Sequence, residues 1–268
     1  MGIVRPFAFI KNPVAGIALD PDAYAFLNAA GLFGDPTIVS AIDTLVIDLK
    51  AYGIWSLMQV IYPMVGGTSA TTSWNLIDPR NLQVAYKMVY QGTGWVFDAN
   101  GAKQSNNSLT YGITYYRPST NTAAEGASMS IYVNGGTNDF GYDLASSLST
   151  SETYIIAGFG NNTLYTRYWN ATPLTYTGAT MPNGFHHSAG NASGIQLYRN
   201  GSQVVTSAQA RGTGNTTSLY LGNRNGGAPQ PTDRRYAFVS MGKYLDSTQQ
   251  GNFYTAVQAF QTTLGRQV

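Results

Sequence analysis

Residues 195–206 have the sequence IQLYRNGSQVVT, in which two short strand-forming segments flank the dipeptide Asn200-Gly201. Both central residues of a two-residue hairpin turn need a positive φ, and Asn followed by Gly tolerates that conformation well. The flanking segments are rich in Ile, Leu, Tyr and Val, which favour strands. The stretch therefore predicts two antiparallel strands, over 195–199 and 203–206, joined by a tight turn.

Similar short segments continue on both sides of this hairpin. From about residue 84 onward, runs rich in Tyr, Val, Ile and Thr alternate with clusters of Gly and Asn. We predict further strands over 83–90, 110–117, 128–133, 153–159, 164–169, 218–221 and 236–244. Many short strands at this spacing indicate an antiparallel β-sandwich. A final helix is predicted where Phe253, Val257, Phe260 and Leu264 share one face.

The residues before the β region have a helical pattern. Asp20-Pro21 and Asp35-Pro36 each place an N-cap before a proline at the first helical position. We interpret residues 20–62 as two helices and a short third one over 54–62. In the second helix, apolar side chains recur at spacings of three and four, which predicts an apolar face. This face consists of Ile38, Ile42, Leu45, Leu49 and Tyr52. Either the β domain or neighbouring copies must cover it, and we assign it to assembly.

The composition divides the chain into four parts. Residues 1–19 are apolar without a clear period and form an N-terminal arm. Residues 20–66 form the helical leader, and residues 67–83 form a connector that begins with a stretch rich in Ser and Thr. Residues 84–268 form the β domain with its C-terminal helix.

Charge and cysteine content exclude several classes of function. The chain has 268 residues, of which 10% are charged, and its net charge is +2. Nucleic-acid binding needs clustered Lys and Arg, whereas here the basic residues are scattered. Cysteine is absent, which excludes disulfides and thiolate metal sites.

The N-terminus lacks the apolar run of a signal peptide, and no stretch approaches the ~20 apolar residues that span a bilayer. We expect a soluble protein without membrane insertion, made in a cytoplasm.

The β region resembles a known family of domains. Phe185-His186-His187-Ser188-Ala189, followed by residues 194–201, resembles the central hairpin of laminin-G-like, concanavalin A-like jelly rolls. Residues 218–223 and 235–245 are similar to the next strand and the closing strand of that family. The resemblance covers about residues 84–268. It implies a mainly β chain, an antiparallel jelly-roll β-sandwich of the concanavalin A-like type, preceded by a small α-helical segment.

The leader carries a second resemblance. Residues 35–55 and 61–67 are similar to leaders on structural proteins of tailed bacteriophages, which join such a leader to a lectin-like jelly roll on the virion. This resemblance implies a non-enzymatic virion structural protein, as a tail, fibre or capsid-decoration component. Such a protein is made in the host bacterial cytoplasm, and its partners are other virion proteins and copies of itself.

A carbohydrate-binding adhesin that contacts host surface glycans is the alternative function. Sugars are held by aromatic rings together with hydrogen-bonding side chains. Strand alternation would place Tyr165, Arg167 and Trp169 on one face, and the nearby loop supplies Asn223 and Arg224. The competing interpretation is that these aromatic residues fill the sandwich or a subunit contact.

The carboxylates argue against a glycan-cleaving enzyme, although jelly rolls of this type include glucanases. Glycoside hydrolysis normally needs two carboxylates that flank the scissile bond. The chain has two glutamates, Glu125 and Glu152, and each stands alone in the sequence. Asp139 and Asp143 form the closest acidic pair in the β region, in a segment typical of a polar turn. We therefore predict no catalytic residues.

Metal binding has little support in the sequence. His186 and His187 are the only histidines, and neighbours in a strand point to opposite faces, so they do not converge on one metal. Some laminin-G-like domains bind calcium through Asp side chains and loop carbonyls. Asn138, Asp139 and Asp143 could supply such oxygens, as could Asp233 near Asn223 and Asn225. No dense run of acidic ligands is present, so we predict no metal site and no cofactor.

Overall fold

The structure is a computed structural model. It describes residues 18–121, 126–137, 139–148, 151–160, 162–169, 171–177, 182–212, 214, 216–226 and 228–268. Most of the predicted N-terminal arm, residues 1–17, lies outside the described residues. Glu125 and the calcium candidate Asn138 lie outside them as well.

Five helices are present among the described residues. Their bounds are α1 (Pro21–Ala30), α2 (Pro36–Ala51), α3 (Ser69–Thr72), α4 (Pro118–Asn121) and α5 (Ser247–Thr263). Short 3₁₀ turns occupy Trp55–Leu57 and Gln83–Ala85. The caps predicted from the sequence are in place, since Asp20 accepts from the backbone N–H of Asp22 and Asp35 from those of Thr37 and Ile38. These carboxylates satisfy N–H groups that the first helical turn leaves unpaired.

The strands of the described residues form two sheets. The first sheet has the order β13-β12-β11-β6-β16-β4-β3, with β1 also paired to β16, and all its pairs are antiparallel. Its strands are β1 (Met58–Tyr62), β3 (Trp95–Asp98), β4 (Gly101–Gln104), β6 (Ala127–Val133), β11 (Gly184–Asn191), β12 (Gly194–Arg199), β13 (Ser202–Ser207) and β16 (Arg235–Gly242).

The second sheet has the order β10-β9-β8-β7-β14-β5-β2, and β15 pairs with β7 in parallel. Its strands are β2 (Val89–Gln91), β5 (Tyr111–Ile113), β7 (Leu144–Leu148), β8 (Ser151–Ile156), β9 (Thr163–Trp169), β10 (Leu174–Thr177), β14 (Tyr220–Leu221) and β15 (Arg224–Asn225). The two sheets and the preceding helices confirm the predicted class, a mainly β antiparallel sandwich with a helical segment before it.

The hairpin at Asn200-Gly201 is confirmed. β12 and β13 pair in antiparallel register from Arg199 with Ser202 to Ile195 with Ser207. Asn200 has φ 47° and Gly201 has φ 77°, as a two-residue turn with positive φ at both positions requires. The Asn200 side-chain oxygen also accepts from the Phe185 N–H at 2.8 Å, so the turn is tied to the neighbouring strand β11.

In the part of the chain that the structure describes, the helices and the two sheets form three layers, with two main cores between them. One core lies between the two sheets and contains side chains such as Ile131, Val239 and Leu144. The other lies between the first sheet and the helices α1, α2 and α5, where Phe238 and Phe253 are fully buried. One face of the first sheet therefore packs on the second sheet, and its other face packs on the helices.

The predicted third helix over 54–62 is wrong. Only Trp55–Leu57 forms a 3₁₀ turn, and Met58–Tyr62 is the strand β1, which pairs with β16. Val60 packs between the sheets and Ile61 packs against the helices, so both faces of β1 are buried. A strand buried on both faces has an unbroken apolar run that periodicity cannot distinguish from a buried helix. The range assigned to the leader thus contains a strand of the first sheet.

The apolar face of α2 is covered within the chain. Ile42, Leu45 and Leu49 are fully buried, and Ile38 and Tyr52 pack partly buried against the same core. This core includes residues of α1, α5 and the first sheet. The assignment of these five residues to assembly is therefore corrected, because the sandwich of the same chain provides the surface that the apolar face needs.

Candidate functional site

The outer face of the second sheet is where exposed functional side chains gather. The outer face of the first sheet is covered by helices, whereas none of the helices described packs on the outer face of the second. Side chains alternate along β9, so that Tyr168 enters the core between the sheets and Tyr165 points to the outer face. Tyr154 of β8 is paired with Arg167 of β9 in the register and shares this face.

Five aromatic rings form one continuous group on this face, which we call the aromatic cluster. Its members are Phe140, Tyr142, Tyr154, Phe159 and Tyr165, and the Tyr142–Phe159 contact at 6.4 Å between ring centroids joins the two parts of the group. Tyr142 and Tyr154 meet edge to face at 5.2 Å between ring centroids, and Phe159 meets Phe140 at 5.1 Å and Tyr165 at 5.4 Å. Tyr142 and Tyr154 are buried at the base, whereas the Phe140 side chain is 67% exposed. The cluster thus has a fixed base and an open rim.

A charged group lies beside the aromatic cluster, and we call it the charged triad. Glu152 is held between two arginines, with Arg167 Nη1 at 2.6 Å from its Oε2 and Arg224 Nη1 at 3.3 Å from its Oε1. Arg167 Nε donates to the Ala171 carbonyl and Arg224 Nη2 donates to the Ala228 carbonyl, each at 2.9 Å. These contacts fix both guanidinium groups in orientation and leave the triad with one net positive charge.

The charged triad and the aromatic cluster are in contact. The guanidinium carbon of Arg224 lies 5.1 Å from the ring centroid of Tyr142, within the range of a cation–π interaction. Burial raises the pKa of the Tyr142 and Tyr154 phenols above the ordinary value. Both phenols therefore stay protonated and can donate hydrogen bonds at neutral pH.

Of the residues predicted to bind sugars, the structure brings Tyr165, Arg167 and Arg224 together on this face. Trp169 does not join them, and the prediction that it shares a face with Tyr165 and Arg167 is wrong. Its φ of 60° interrupts the alternation at the end of β9, and its ring is 1% exposed in the core between the sheets. There the Arg211 guanidinium lies 4.2 Å from the centroid of the Trp169 ring.

Asn223 is placed behind the face and not on it. Its side chain is buried, donates to the Ser108 carbonyl at 3.1 Å and accepts from the N–H groups of Arg224 and Gln230. Both acceptor positions of its side-chain oxygen and one of its two N–H donors are therefore used within the chain. Asn223 shapes the loop that carries Arg224, and the prediction that it offers a free amide to a ligand is corrected.

Sequence reasoning missed several residues of the site, namely Phe140, Tyr142, Glu152, Tyr154 and Phe159. A signal for two of them was available, because alternation over the strand that begins near residue 151 places Glu152 and Tyr154 on one face. The loop residues Phe140 and Tyr142 carried no such signal, since their positions depend on how the 139–143 segment packs against Arg234.

The acidic pair Asp139 and Asp143 is engaged by a buried arginine. Arg234 is completely buried, and its guanidinium lies 2.6 Å from Asp143 Oδ2 and 2.9 Å from Asp139 Oδ1. The Tyr236 hydroxyl donates to Asp143 Oδ1 at 2.8 Å. Burial raises the pKa of the Asp143 carboxyl, and the charge of Arg234 opposes that shift. The two carboxylates hold Arg234 and do not flank a cleft.

The other candidate metal ligands are also engaged. Asp233 Oδ1 accepts from the backbone N–H and the hydroxyl of Thr137, at 2.7 and 3.0 Å. Asn225 donates to the Ser218 carbonyl at 2.8 Å. Within the part of the chain that the structure describes, no three His, Asp or Glu side chains gather as metal ligands would.

Both histidines are buried in β11. His186 Nε2 lies 2.7 Å from the Pro182 carbonyl, and the His187 ring contacts Phe253 of α5 at 5.7 Å. Burial lowers the pKa of each imidazole to about 3, so both are neutral over the physiological range.

Among the described helices, none is long and apolar enough to cross a bilayer.

Comparisons with known proteins give matches to solved structures only. No family model and no curated protein matches the chain. The binding domain of Paraclostridial Mosquitocidal Protein 1 is similar at 12% identity and a TM-score of 0.48, over 75% of this chain and 52% of that one. A Trypanosoma rangeli sialidase mutant with trans-sialidase activity is similar at 12% identity and a TM-score of 0.49, over 84% of this chain and 40% of that one. The chain thus spans about half the length of these two proteins or less.

A third similar structure is Domain 4 of AbnA, an extracellular arabinanase from Geobacillus stearothermophilus, in complex with arabinotriose. It is 10% identical, with a TM-score of 0.45, over 74% of this chain and 98% of that one. Identities this low describe architecture alone. By its own sheets and helices, the chain is an antiparallel β-sandwich with N-terminal helices.

Proposed function

We propose that this protein is a carbohydrate-binding domain that holds a glycan on the outer face of the second sheet. The observation that carries the proposal is the juxtaposition of the open aromatic cluster with the charged triad. Phe140 offers an exposed ring, and Tyr165 and Arg167 are half-buried beside it. An apolar wall next to fixed polar groups is the surface that a sugar, with its C–H faces and its hydroxyls, requires.

The triad would supply the hydrogen bonds. The Arg167 and Arg224 guanidinium groups donate, and the Glu152 carboxylate accepts, which matches hydroxyl groups that do both. Their mutual contacts hold these groups in place before a ligand arrives, which reduces the entropy lost on binding. Glycoside hydrolysis would need a second carboxylate, whereas Glu152 is paired here with two arginines. We therefore propose binding without cleavage.

The Phe140→Ala variant is expected to weaken glycan binding about three- to tenfold, since an aromatic contact contributes about 0.5–1.5 kcal/mol. A glycan array would identify a ligand, and isothermal titration would then give the affinities of both forms. Because Phe140 is 67% exposed, the variant should keep the stability of the parent chain.

The matched control for this experiment is Ile47→Ala. Ile47 is also an exposed apolar side chain, 48% exposed, but it lies on α2, in the helical layer. Its variant should bind the same glycan with unchanged affinity. Equal affinities for both variants, or no binding to any arrayed glycan, would refute the proposed site.

A role as a virion structural protein is the second candidate function. The observation that favours it is that the two sides of the sandwich differ in what covers them. The helices of the leader pack on the first sheet, on the opposite side of the sandwich from the aromatic cluster. The chain could be mounted on a particle through the helical side while the second sheet faces outward. In this role the protein would reside on a bacteriophage virion after synthesis in the host cytoplasm.

Cysteine labelling on particles would test the virion role, because the chain has no cysteine of its own. Phe140→Cys and Ile47→Cys variants would be produced with the phage that encodes the chain. Purified particles should contain both variants, with Phe140→Cys reacting with a maleimide dye and Ile47→Cys protected. Absence of the chain from purified particles would refute the virion role, and equal labelling would refute mounting through the helical side.

A further inference from the structure

A second aromatic group lies on the same outer face, apart from the aromatic cluster. The Tyr111 and Tyr220 rings, on the neighbouring strands β5 and β14, stack with 4.5 Å between centroids and 2° between planes. Both are half-buried. Gln91 of the edge strand β2 is paired with Tyr111 in the register, so an amide side chain stands beside the stacked rings on that face.

Neither tyrosine hydroxyl is used within the fold as described. The described residues form no hydrogen bond with the Tyr111 or Tyr220 hydroxyl, whereas the buried phenols of Tyr62, Tyr168 and Tyr236 each have a partner. The stacked pair thus presents apolar ring surface and two available phenols to solvent. These are the same kinds of group that the aromatic cluster and the charged triad combine.

The register aligns this pair with the proposed site. Tyr220 pairs with Ala145, Ala145 with Tyr154, and Tyr154 with Arg167. These four residues form one row across β14, β7, β8 and β9. Neighbouring strands lie about 4.8 Å apart, so Arg167 and Tyr220 are about 14 Å apart along the row, a span of about three consecutive sugar rings.

Among the described residues, no large side chain in the middle of the row blocks the path from the proposed site to the stacked tyrosines. Ala145 has only a methyl group and packs with Tyr142 of the aromatic cluster, and Arg224 is paired with Ala145 from β15. A ligand that crosses the row would therefore pass from Arg167 and Tyr165, over Tyr142 and Arg224, to the stacked tyrosines.

We propose that Tyr111 and Tyr220 form a second sugar subsite, so that the face binds a polysaccharide chain that runs across the strands. This inference rests on the proposed function and names its ligand class, an internal segment of at least three sugar units and not a terminal sugar. Two linked subsites raise the affinity for a ligand that reaches both. A ligand of one or two units gains nothing from the second subsite.

The test is titration with arabino-, xylo- and malto-oligosaccharides of one to six units and with the polysaccharides arabinan, xylan and amylose. For the parent chain, we expect the affinity within the series that binds to rise about tenfold between two and four units. The Tyr220→Ala variant should lose this rise while its affinity for the disaccharide stays unchanged. Tyr220→Phe, which keeps the stacked ring, should retain most of it.

The control is Tyr24→Ala, because Tyr24 is also half-buried and contacts another ring, Phe33, at 5.0 Å, but lies on α1 in the helical layer. Affinity that does not depend on chain length, or a Tyr220→Ala variant weakened equally for short and long ligands, would overturn the second subsite. Such results would leave the proposed function standing if Phe140→Ala still weakens binding. Absence of binding to the whole panel would overturn the second subsite, and the glycan array would then decide the proposed function separately.

Discussion

Replacing Arg234 with methionine is expected to lower the free energy of unfolding by about 3–5 kcal/mol, the usual cost of breaking a buried ion pair from one side. The Arg234 guanidinium is completely buried between the carboxylates of Asp139 and Asp143, and it also donates to the Gly158 carbonyl. Without the arginine, the Asp143 carboxylate would remain buried without its cation. Urea denaturation at pH 7 would measure the loss.

The adjacent residue provides a matched control. Arg235 also forms an ion pair, with Asp98 at 2.8 Å, but both side chains are partly exposed. Arg235→Met should therefore cost less than about 1 kcal/mol, as exposed pairs do. The double variant Arg234→Met with Asp143→Asn should recover part of the loss, because it removes the stranded charge. Equal losses for the two single variants would show that burial of the pair does not determine its importance.

The Arg234 variant should also affect the binding face. Arg234 holds the segment 139–143, which carries Phe140 and Tyr142, through the two aspartates at its ends. If that segment shifts, the rim of the aromatic cluster shifts with it. These buried ion pairs thus contribute to the shape of the binding face.

Acidification is expected to destabilise the fold strongly through the two buried histidines. Burial lowers the pKa of His186 and of His187 from 6.5 to about 3. Between these values the unfolded chain binds protons that the folded chain does not, so stability falls as the pH falls. From pH 6.5 to about pH 4.5 the loss is about 2 kcal/mol for each histidine, since one pKa unit corresponds to about 1.4 kcal/mol.

The two histidines together should therefore reduce the free energy of unfolding by about 4 kcal/mol over this interval. Urea denaturation at a series of pH values would measure the slope. The His187→Phe variant should reduce the slope by about half, because it removes one titrating group and keeps a ring against Phe253. Neither ring nitrogen of His187 has a hydrogen-bond partner among the described residues, so this variant breaks no polar contact. Identical slopes for parent and variant would contradict the assignment of the acid sensitivity to the histidines.

Local sequence patterns predicted much of the fold because the decisive interactions are local. Asn200-Gly201 determines its turn through the φ angles that the two residues tolerate, and the Asp35 cap acts on N–H groups two and three residues away. The apolar period after Asp35 predicted the buried face of α2 correctly. The period did not show what covers that face, because the covering residues of α5 lie some 200 positions further along the chain.

The strand β1 shows where the local argument ends. Its apolar run fits a helix or a strand equally well, and the pairing with β16, which begins at Arg235, decides between them. For Trp169, too, the local sequence pattern does not decide where the side chain lies. Alternation placed its ring outward, and its positive φ turns the ring into the core between the sheets.

The sequence by itself determined the class of the fold, the hairpin, the helix caps and three members of the site, Tyr165, Arg167 and Arg224. Only the tertiary structure decided that these three meet. Glu152 lies 15 positions from Arg167 and 72 from Arg224, and the strand order of the second sheet brings them within hydrogen-bonding distance. The physical reason is that a strand pattern specifies which face a side chain occupies, whereas pairing between distant strands specifies its neighbours on that face.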